Sequence, residues 1–407
     1  MQRFLKLGLP TLRDETWRYS NLRSLAAQSF VDAPRKTRGE IEASSSLSLL
    51  GTTEGAALLL MVNGHPLMPS SGRLVNGIEI NSIRDLSNLD PKLLQGYLEP
   101  LSDADQQRWV LLNTALFVDG LYLKITGQAP TPLVILHVST GDGADNIAYP
   151  RVIIDATAGS SATIIEHHVT QGEHTPLNNS NTHIALGRDA QLEHYRVYAT
   201  APGATHIDSL NIHQDQGSRC KQFTIALGGG LVRTTLEAHL DKPGACLDSY
   251  SLLVGHQDRH VDCVNIVTHG APDTRSHQTA RAIASDVSRV IFNSKVIVNA
   301  GAVHAQSQQS CRGLLLSPTA EIDTRPQLEI HTDEVKCAHG ATTGRLDPDM
   351  LFYMLSRGLD RDTAQSLLVY AFLADVLTGM SVAAARTAIE SALIAQLPDS
   401  QTLRKFR

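Results

Sequence analysis

The sequence predicts a mainly β protein with flanking α structure, its centre wound as a β-helix. Three observations predict it. Between residues 126 and 340, Leu, Ile and Val alternate with polar residues at the period of a strand. Glycine turns recur there at Gly159, Gly187, Gly217, Gly244, Gly270 and Gly301, spaced by 28, 30, 27, 26 and 31 residues. Beyond residue 341 the signals become helical. A period of roughly 20–50 residues marks a solenoid. No helical pattern separates these strands and no L-x-x-L-x-L signature occurs, which leaves coils that close their backbone bonds on the next coil. An ordinary β-sandwich with unevenly spaced turns fits the same spacing.

Residues 1–125 read as a mixed helical and strand domain. Helical patterns lie around Asp14–Gln28 and Asp103–Phe117. Ala57–Val62 is strand-like, and Asn63-Gly64 after it is a hairpin turn, because both positions tolerate positive φ. Ser44–Gly55 reads as a loop or short linker. Residues 126–345 are the β-helix core. Residues 346–407 form a helical domain. Asp347 caps its first helix, Pro348 takes the first helical position and Gly358 stops it. Asp360 and Asp362 open a second helix running to about Gly379, and Ser381 a third ending near Pro398. The second contains the run Leu367–Ala374, apolar on every face, which asks for burial on more than one side. Either a small self-contained bundle or a partner's groove meets that demand.

Composition narrows the function. The chain has 407 residues, 42% hydrophobic and 19% charged, with a net charge of -6. That is a folded composition without the basic excess that nucleic acid or an anionic membrane requires. Five cysteines, widely spread and without a C-x-x-C, make neither a disulfide framework nor a closed zinc site, and fit a reducing cytoplasm. The N-terminal apolar stretch is broken by Lys6 and Pro10, so no secretory segment is expected. No apolar run approaches the roughly 18 residues of a membrane span.

Several chemistries lack their motifs. There is no G-x-x-x-x-G-K-[ST], and Gly228-Gly229-Gly230 continues into Leu231 and Val232 without a lysine. No dinucleotide fingerprint, G-x-S-x-G elbow or H-E-x-x-H occurs. Fifteen of the 17 histidines fall between His137 and His331, many at strand positions. They read as solvent-facing or hydrogen-bonded coil residues. His167 and His168 face opposite sides of a strand and cannot form one chelate.

Asp333-Glu334-Val335-Lys336-Cys337-Ala338-His339-Gly340 is more pointed. In an extended strand Cys337 and His339 share a face. A thiolate beside an imidazole suits iron or zinc, but two ligands do not complete a tetrahedral site. The pair is then half of a site shared with another chain, or a buried cysteine beside a hydrogen-bonded histidine.

The block Pro326–Leu359, with an acidic pair, Lys336-Cys337-Ala338-His339-Gly340-Ala341, Leu346-Asp347 and Phe352-Tyr353 before Ser356-Arg357-Gly358, resembles the hallmark block of the SufB/SufD family of iron–sulfur cluster assembly proteins. Gly313–Ser317, Ala320–Asp323, Val290–Asn293 with Lys295, and Ser276–Gln278 are similar to the same family. Gly8–Thr11, Asp14-Glu15, Trp17–Tyr19, Asn21-Leu22, Val62–Gly64 and Leu112–Ala115 resemble its SufD branch. Two elements depart from the family pattern: Gln309–Gly313 replaces a Gln-x-Asn-Arg-Asn run, and Ser294 stands where a glycine is usual. Both read as surface or coil variations.

The resemblance implies a right-handed parallel β-helix core between an N-terminal domain and a C-terminal helical domain. It implies a non-catalytic cytoplasmic scaffold in a complex with a SufB-like β-helix paralogue and a SufC-like ABC ATPase, helping iron entry and cluster assembly. The chain itself would bind no nucleotide. A transient iron–sulfur cluster would form at the interface with the SufB-like chain, held by His339 with Cys337 beside it. Asp333, Glu334 and Lys336 would support that pair. The ATPase would dock on the C-terminal helices through Leu367, Leu368, Tyr370, Phe372, Phe352 and Tyr353. The alternatives are a self-associating metal-binding or structural β-helix, present as a homodimer, and a carbohydrate-active β-helix enzyme.

Overall fold

The computed structural model describes residues 1–42, 55–68, 75–98, 107–140, 145–172 and 175–396. Most of the Ser44–Gly55 linker, the start of the Asp103–Phe117 helix and the expected helix end at Pro398 lie outside the described residues. The centre is a parallel β-solenoid of about seven turns. Each turn contributes one strand to each of two sheets, and successive strands of a sheet pair parallel. One sheet runs from Leu121–Ile125 to Glu321–Ile330, the other from Ala57–Val62 to Lys336–Arg345.

The two ends of this stack differ. At the N-terminal end each sheet finishes in an antiparallel partner: Ile78–Ser82 against Leu121–Ile125, and His65–Leu67 against Ala57–Val62. Asn63 and Gly64 make the hairpin turn at φ of 49° and 80°, as the sequence predicts. At the C-terminal end both last strands are parallel. Among the described residues nothing pairs with their outer edges.

The glycine periodicity locates one corner of every turn. The residue with left-handed backbone there is Gly159, Asp189, Gly217, Gly244, Asp273 or His304. Its N–H donates to a carbonyl of the next turn, from Gly159 to Arg188 through to His304 to Glu334. Three predicted glycines, Gly187, Gly270 and Gly301, therefore flag the right corner, but Asp189, Asp273 and His304 take its strained position. Aspartate tolerates that conformation through its short polar side chain.

The opposite corner explains the triple glycine. A Cβ on Gly228 would sit 2.4 Å from the Thr200 carbonyl oxygen, one on Gly230 2.4 Å from the Pro202 oxygen, and Gly229 has φ of 91°. The run is a close approach of successive turns. Gly228→Ala is expected to lower stability by about 1–3 kcal/mol through overpacking. A urea titration with an unchanged midpoint would disprove the close approach.

Inward positions of the first turns are aliphatic, among them Leu121, Leu123, Leu133, Ile135, Ile154, Ile164 and Ile184. The outer face of the second sheet carries stacked rings, Tyr195 on Phe223 at 4.7 Å and Phe223 on Tyr250 at 4.8 Å. The C-terminal helices cover this face. Asp347 caps Pro348–Ser356 by accepting from the Asp349 and Met350 N–H groups, and Asp360 caps Arg361–Leu377. Ser381 does not cap the third helix, Ala383–Ala395; its N–H and hydroxyl are taken by Glu193 of the solenoid.

The N-terminal segment is less helical than its pattern. Asp14–Gln28 holds a 3-10 turn at Glu15–Trp17 and one turn at Arg23–Ala26. Tertiary anchors override propensity there: Asp14 pairs with Arg108, Arg233 donates to the Thr16 carbonyl, and Trp17 packs on Trp109.

Candidate functional site

The open end of the solenoid carries the Cys–His motif. Lys336–Arg345 is the last strand of the second sheet, with Cys337 opposite Ser307 and His339 opposite Gln309. Alternation places both on the inward row. Cys337 is half-buried against core residues together with Val335 and Leu328, whereas His339 is exposed. Among the described residues no turn stacks above them, so the inward row faces the mouth of the interior. Burial pushes the Cys337 thiol up from its ordinary range, opposed by a main-chain bond from Ser307. A raised thiol pKa keeps the neutral, unreactive form to higher pH. Iodoacetamide at pH 8 is therefore expected to label Cys337 more slowly in the folded chain than in urea, the gap narrowing as pH rises. Equal rates would mean an exposed thiolate.

The flanking residues divide. Glu334 closes the last corner: its carbonyl accepts from the His304 N–H, and its carboxylate lies 3.4 Å from the His304 ring. The Asp333 carbonyl accepts from the Val335 N–H, and the Lys336 N–H donates to Ala305. All three side chains are exposed. The second sheet's neighbour at this end, Glu321–Ile330, has Pro326 in its centre. A proline fits an edge strand, where one N–H needs no ladder partner.

Below His339 a polar column runs down the interior. Its register is Gln309, Gln278, Ser249, Gln222 and His194 on successive turns, each at most 3% exposed. Side chains of the facing sheet interleave with it. Gln309 donates to Ser294, Ser294 to Gln278, Asn265 to Gln278 and Ser249, and Gln222 to Thr224. Ser294 is thus buried, 1% exposed, and bonded twice. The surface reading of that position is corrected: its hydroxyl is a rung of the column. Cys311 is likewise interior, inside the apolar cluster with Cys263 and Phe292.

Sequence reasoning missed this column, although its signal was present. Gln222, Ser249, Gln278 and Gln309 recur at the turn period, 27, 29 and 31 residues apart. Of the two readings of the histidines, that of hydrogen-bonded coil residues holds for His137 and His194, which bond Glu166, and for His269, which bonds Thr274 and Ser276, while the solvent-facing reading fails for the buried ones. His137, His168, His194 and His206 are buried inside the solenoid and His167 beneath its outer face, rather than facing solvent. His168 points inward and His167 outward, as the alternation requires. Among the described residues, two groups hold ligand atoms within 4.8 Å of one another: His137, Glu166 and His168, and His168, His206 and Asp208.

The C-terminal helices present a separate surface. Within Arg361–Leu377 the buried row Val369, Leu373, Val376 and Leu377 packs on the solenoid. The over-apolar helix is therefore covered by this chain's own β-sheet on one side. Leu367, Leu368, Tyr370 and Phe372 are half-buried, and Phe372 lies under the Arg281 guanidinium. Phe352 and Tyr353 are 72% and 58% exposed, adjacent to exposed Met350.

Comparison with known proteins agrees with this architecture. Residues 137–372 match the family model described as SUF system FeS cluster assembly, SufBD core domain, and residues 1–131 match the SufBD protein N-terminal region. The iron-sulfur cluster assembly protein SufD of Escherichia coli (strain K12) is 28% identical over 92% of this chain and 86% of its own length. A SufBD family protein of Synechocystis is 28% identical over 93% of this chain and 85% of its own length. SufD of Bacillus subtilis is 25% identical over 68% and 64%. A solenoid core, an N-terminal segment docked on it and a Cys–His motif on its last strand, matched by both family models, make this chain a member of the SufBD family of iron–sulfur cluster assembly proteins.

Proposed function

We propose that this chain is a SufD-like, non-catalytic scaffold subunit of a complex that assembles iron–sulfur clusters. The observation that supports it is the open end of the solenoid. Two parallel edge strands expose unpaired backbone groups, which seek another chain's strand. His339 and Cys337 lie on that edge and supply two donors, half of what a tetrahedral iron needs. A second β-helix chain of the SufB type, docked end to end, would supply the rest. The cluster is cargo, formed only when both halves meet.

In the same reading a SufC-like ABC ATPase docks on the C-terminal helices, where Phe352 and Tyr353 stand clear and Leu367, Leu368, Tyr370 and Phe372 border the surface. ATP chemistry then belongs to the partner, and its movement opens or closes the cluster edge. Asp333, Glu334 and Lys336 add charge around the edge. Iron entry would follow the same interface.

Affinity purification of the tagged chain from cells expressing the partners tests the reading. Stoichiometric recovery of a second β-helix chain and an ABC ATPase is expected. Recovery of a homodimer alone, with both partners present, would replace it with a self-associating protein.

A further inference from the structure

The interior of the solenoid encloses a second set of ligand-type side chains, away from the open end. His168 comes from Ser161–Gln171 of the second sheet, and His206 and Asp208 from Thr205–Gln214 of the first. Six strand steps separate His168 from the last strand of its sheet, roughly 29 Å at the usual spacing. All three residues are at most 2% exposed. The two rings meet edge to face with centroids 5.5 Å apart.

Neither nitrogen of His206 nor Nε2 of His168 has a hydrogen-bond partner. Orphaned polar atoms at this depth are costly and ask for an explanation. Here they converge with a carboxylate, their donor atoms within 4.8 Å of one another. Ligands around a tetrahedral ion with bonds of about 2.1 Å lie roughly 3.4 Å apart, so the donor atoms need close by at most about 1.4 Å. Burial drives His168 and His206 toward the neutral form, His206 down to about 4, and neutral imidazole is the ligating form.

The adjoining trio of His137, Glu166 and His168 is the weaker candidate. Glu166 is already engaged by His137 and His194, each at 3.0 Å, and by the Thr182 hydroxyl at 2.8 Å. Asp208 is held more loosely, by the Ser180 N–H at 3.1 Å and Arg196 at 3.4 Å. Arg196 is shared between these two carboxylates, so with neutral imidazoles the cluster carries a net negative charge that favours a cation.

We propose that His168, His206 and Asp208 bind one divalent first-row transition ion inside the solenoid, a site separate from the Cys–His edge. Two imidazoles and one carboxylate suit Fe(II) or Zn(II). Enclosed by neighbouring turns, the ion enters as the turns close and exchanges slowly afterwards.

The test uses the full chain expressed in cobalt-supplemented medium and purified in EDTA. One cobalt per chain is expected, with visible d–d absorption and no thiolate charge-transfer band. His206→Gln and Asp208→Asn are each expected to lower occupancy at least tenfold. The double change Cys337→Ser with His339→Ala is expected to leave it unchanged, which separates this site from the cluster edge. A wild-type chain without metal, or one showing a thiolate band, overturns the proposal whatever the variants do. So does cobalt retained by both interior variants when circular dichroism shows them folded.

Discussion

Asp262→Ala is expected to release the N-terminal segment from the solenoid. Asp262 is fully buried and bonds Arg233, itself buried. The Ser20 hydroxyl donates to the same carboxylate and lies 3.0 Å from the His260 ring. Arg233 in turn donates to the Thr16 carbonyl at 2.7 Å and covers the Trp17 ring at 4.3 Å. Removing the carboxylate strands a guanidinium away from water, a change that costs roughly 3–5 kcal/mol. The chain has two tryptophans, Trp17 and Trp109, and they pack together at this junction. Tryptophan fluorescence in a urea titration therefore reads the affected region directly. The transition should move to much lower urea. The paired change Arg233→Met with Asp262→Leu should recover most of the loss, because it removes the uncompensated charge. An unmoved tryptophan transition in Asp262→Ala would show that the junction is held by apolar contact alone.

His339→Ala is expected to lower cluster formation on the assembled complex by tenfold or more. Losing even an outer-shell partner of a metal ligand costs about 10–100-fold, and a direct ligand should cost no less. His339 is exposed at the mouth of the interior, whereas the Cys337 thiol is partly packed and pushed away from its thiolate form. Cys337→Ser should therefore reduce cluster yield less than His339→Ala does. The comparison needs anaerobic reconstitution, with the visible absorbance of the cluster as the readout and co-purification confirming that the complex still forms. Equal yields for wild type and His339→Ala would remove the histidine from the cluster. A larger loss from Cys337→Ser would reverse the order of the two donors.

Local chemistry was legible in the sequence, and depth was not. The hairpin at Asn63-Gly64, the caps at Asp347 and Asp360 and the turn period follow from short-range rules about φ, capping and spacing. The period found the corners even where Asp189, Asp273 and His304 replaced glycine. The facing of His167 and His168 followed from alternation alone. What failed depends on contacts far apart in the chain. Ser381 looked like a cap until Glu193 claimed it. Ser294 looked like surface variation, because only the folded solenoid sets it between Gln278 and Gln309. The interior histidines defeat the usual expectation that polar residues face water. A solenoid encloses half of every strand, so an inward polar residue must find its partner on the neighbouring turn. At the open edge of the solenoid the sequence brought Cys337 and His339 to one face. It did not reveal that this face opens onto a polar interior.

The helical cover of the outer sheet alters how the stack comes apart. A solenoid behaves almost as a one-dimensional chain of units, each stabilised by two neighbours, and such a chain frays from a free end. The apolar cluster under the C-terminal helices joins Tyr195, Phe223, Leu252, Ile283 and Leu314, which come from five successive strands of one sheet. Polar ties cross the same span: Ser381 to Glu193, Gln396 to the Leu227 carbonyl and Arg281 to Asp375. The helices thus act as a splint that turns nearest-neighbour stability into cooperative stability over five units. Load applied to the splint is shared among those five units rather than concentrated at one seam.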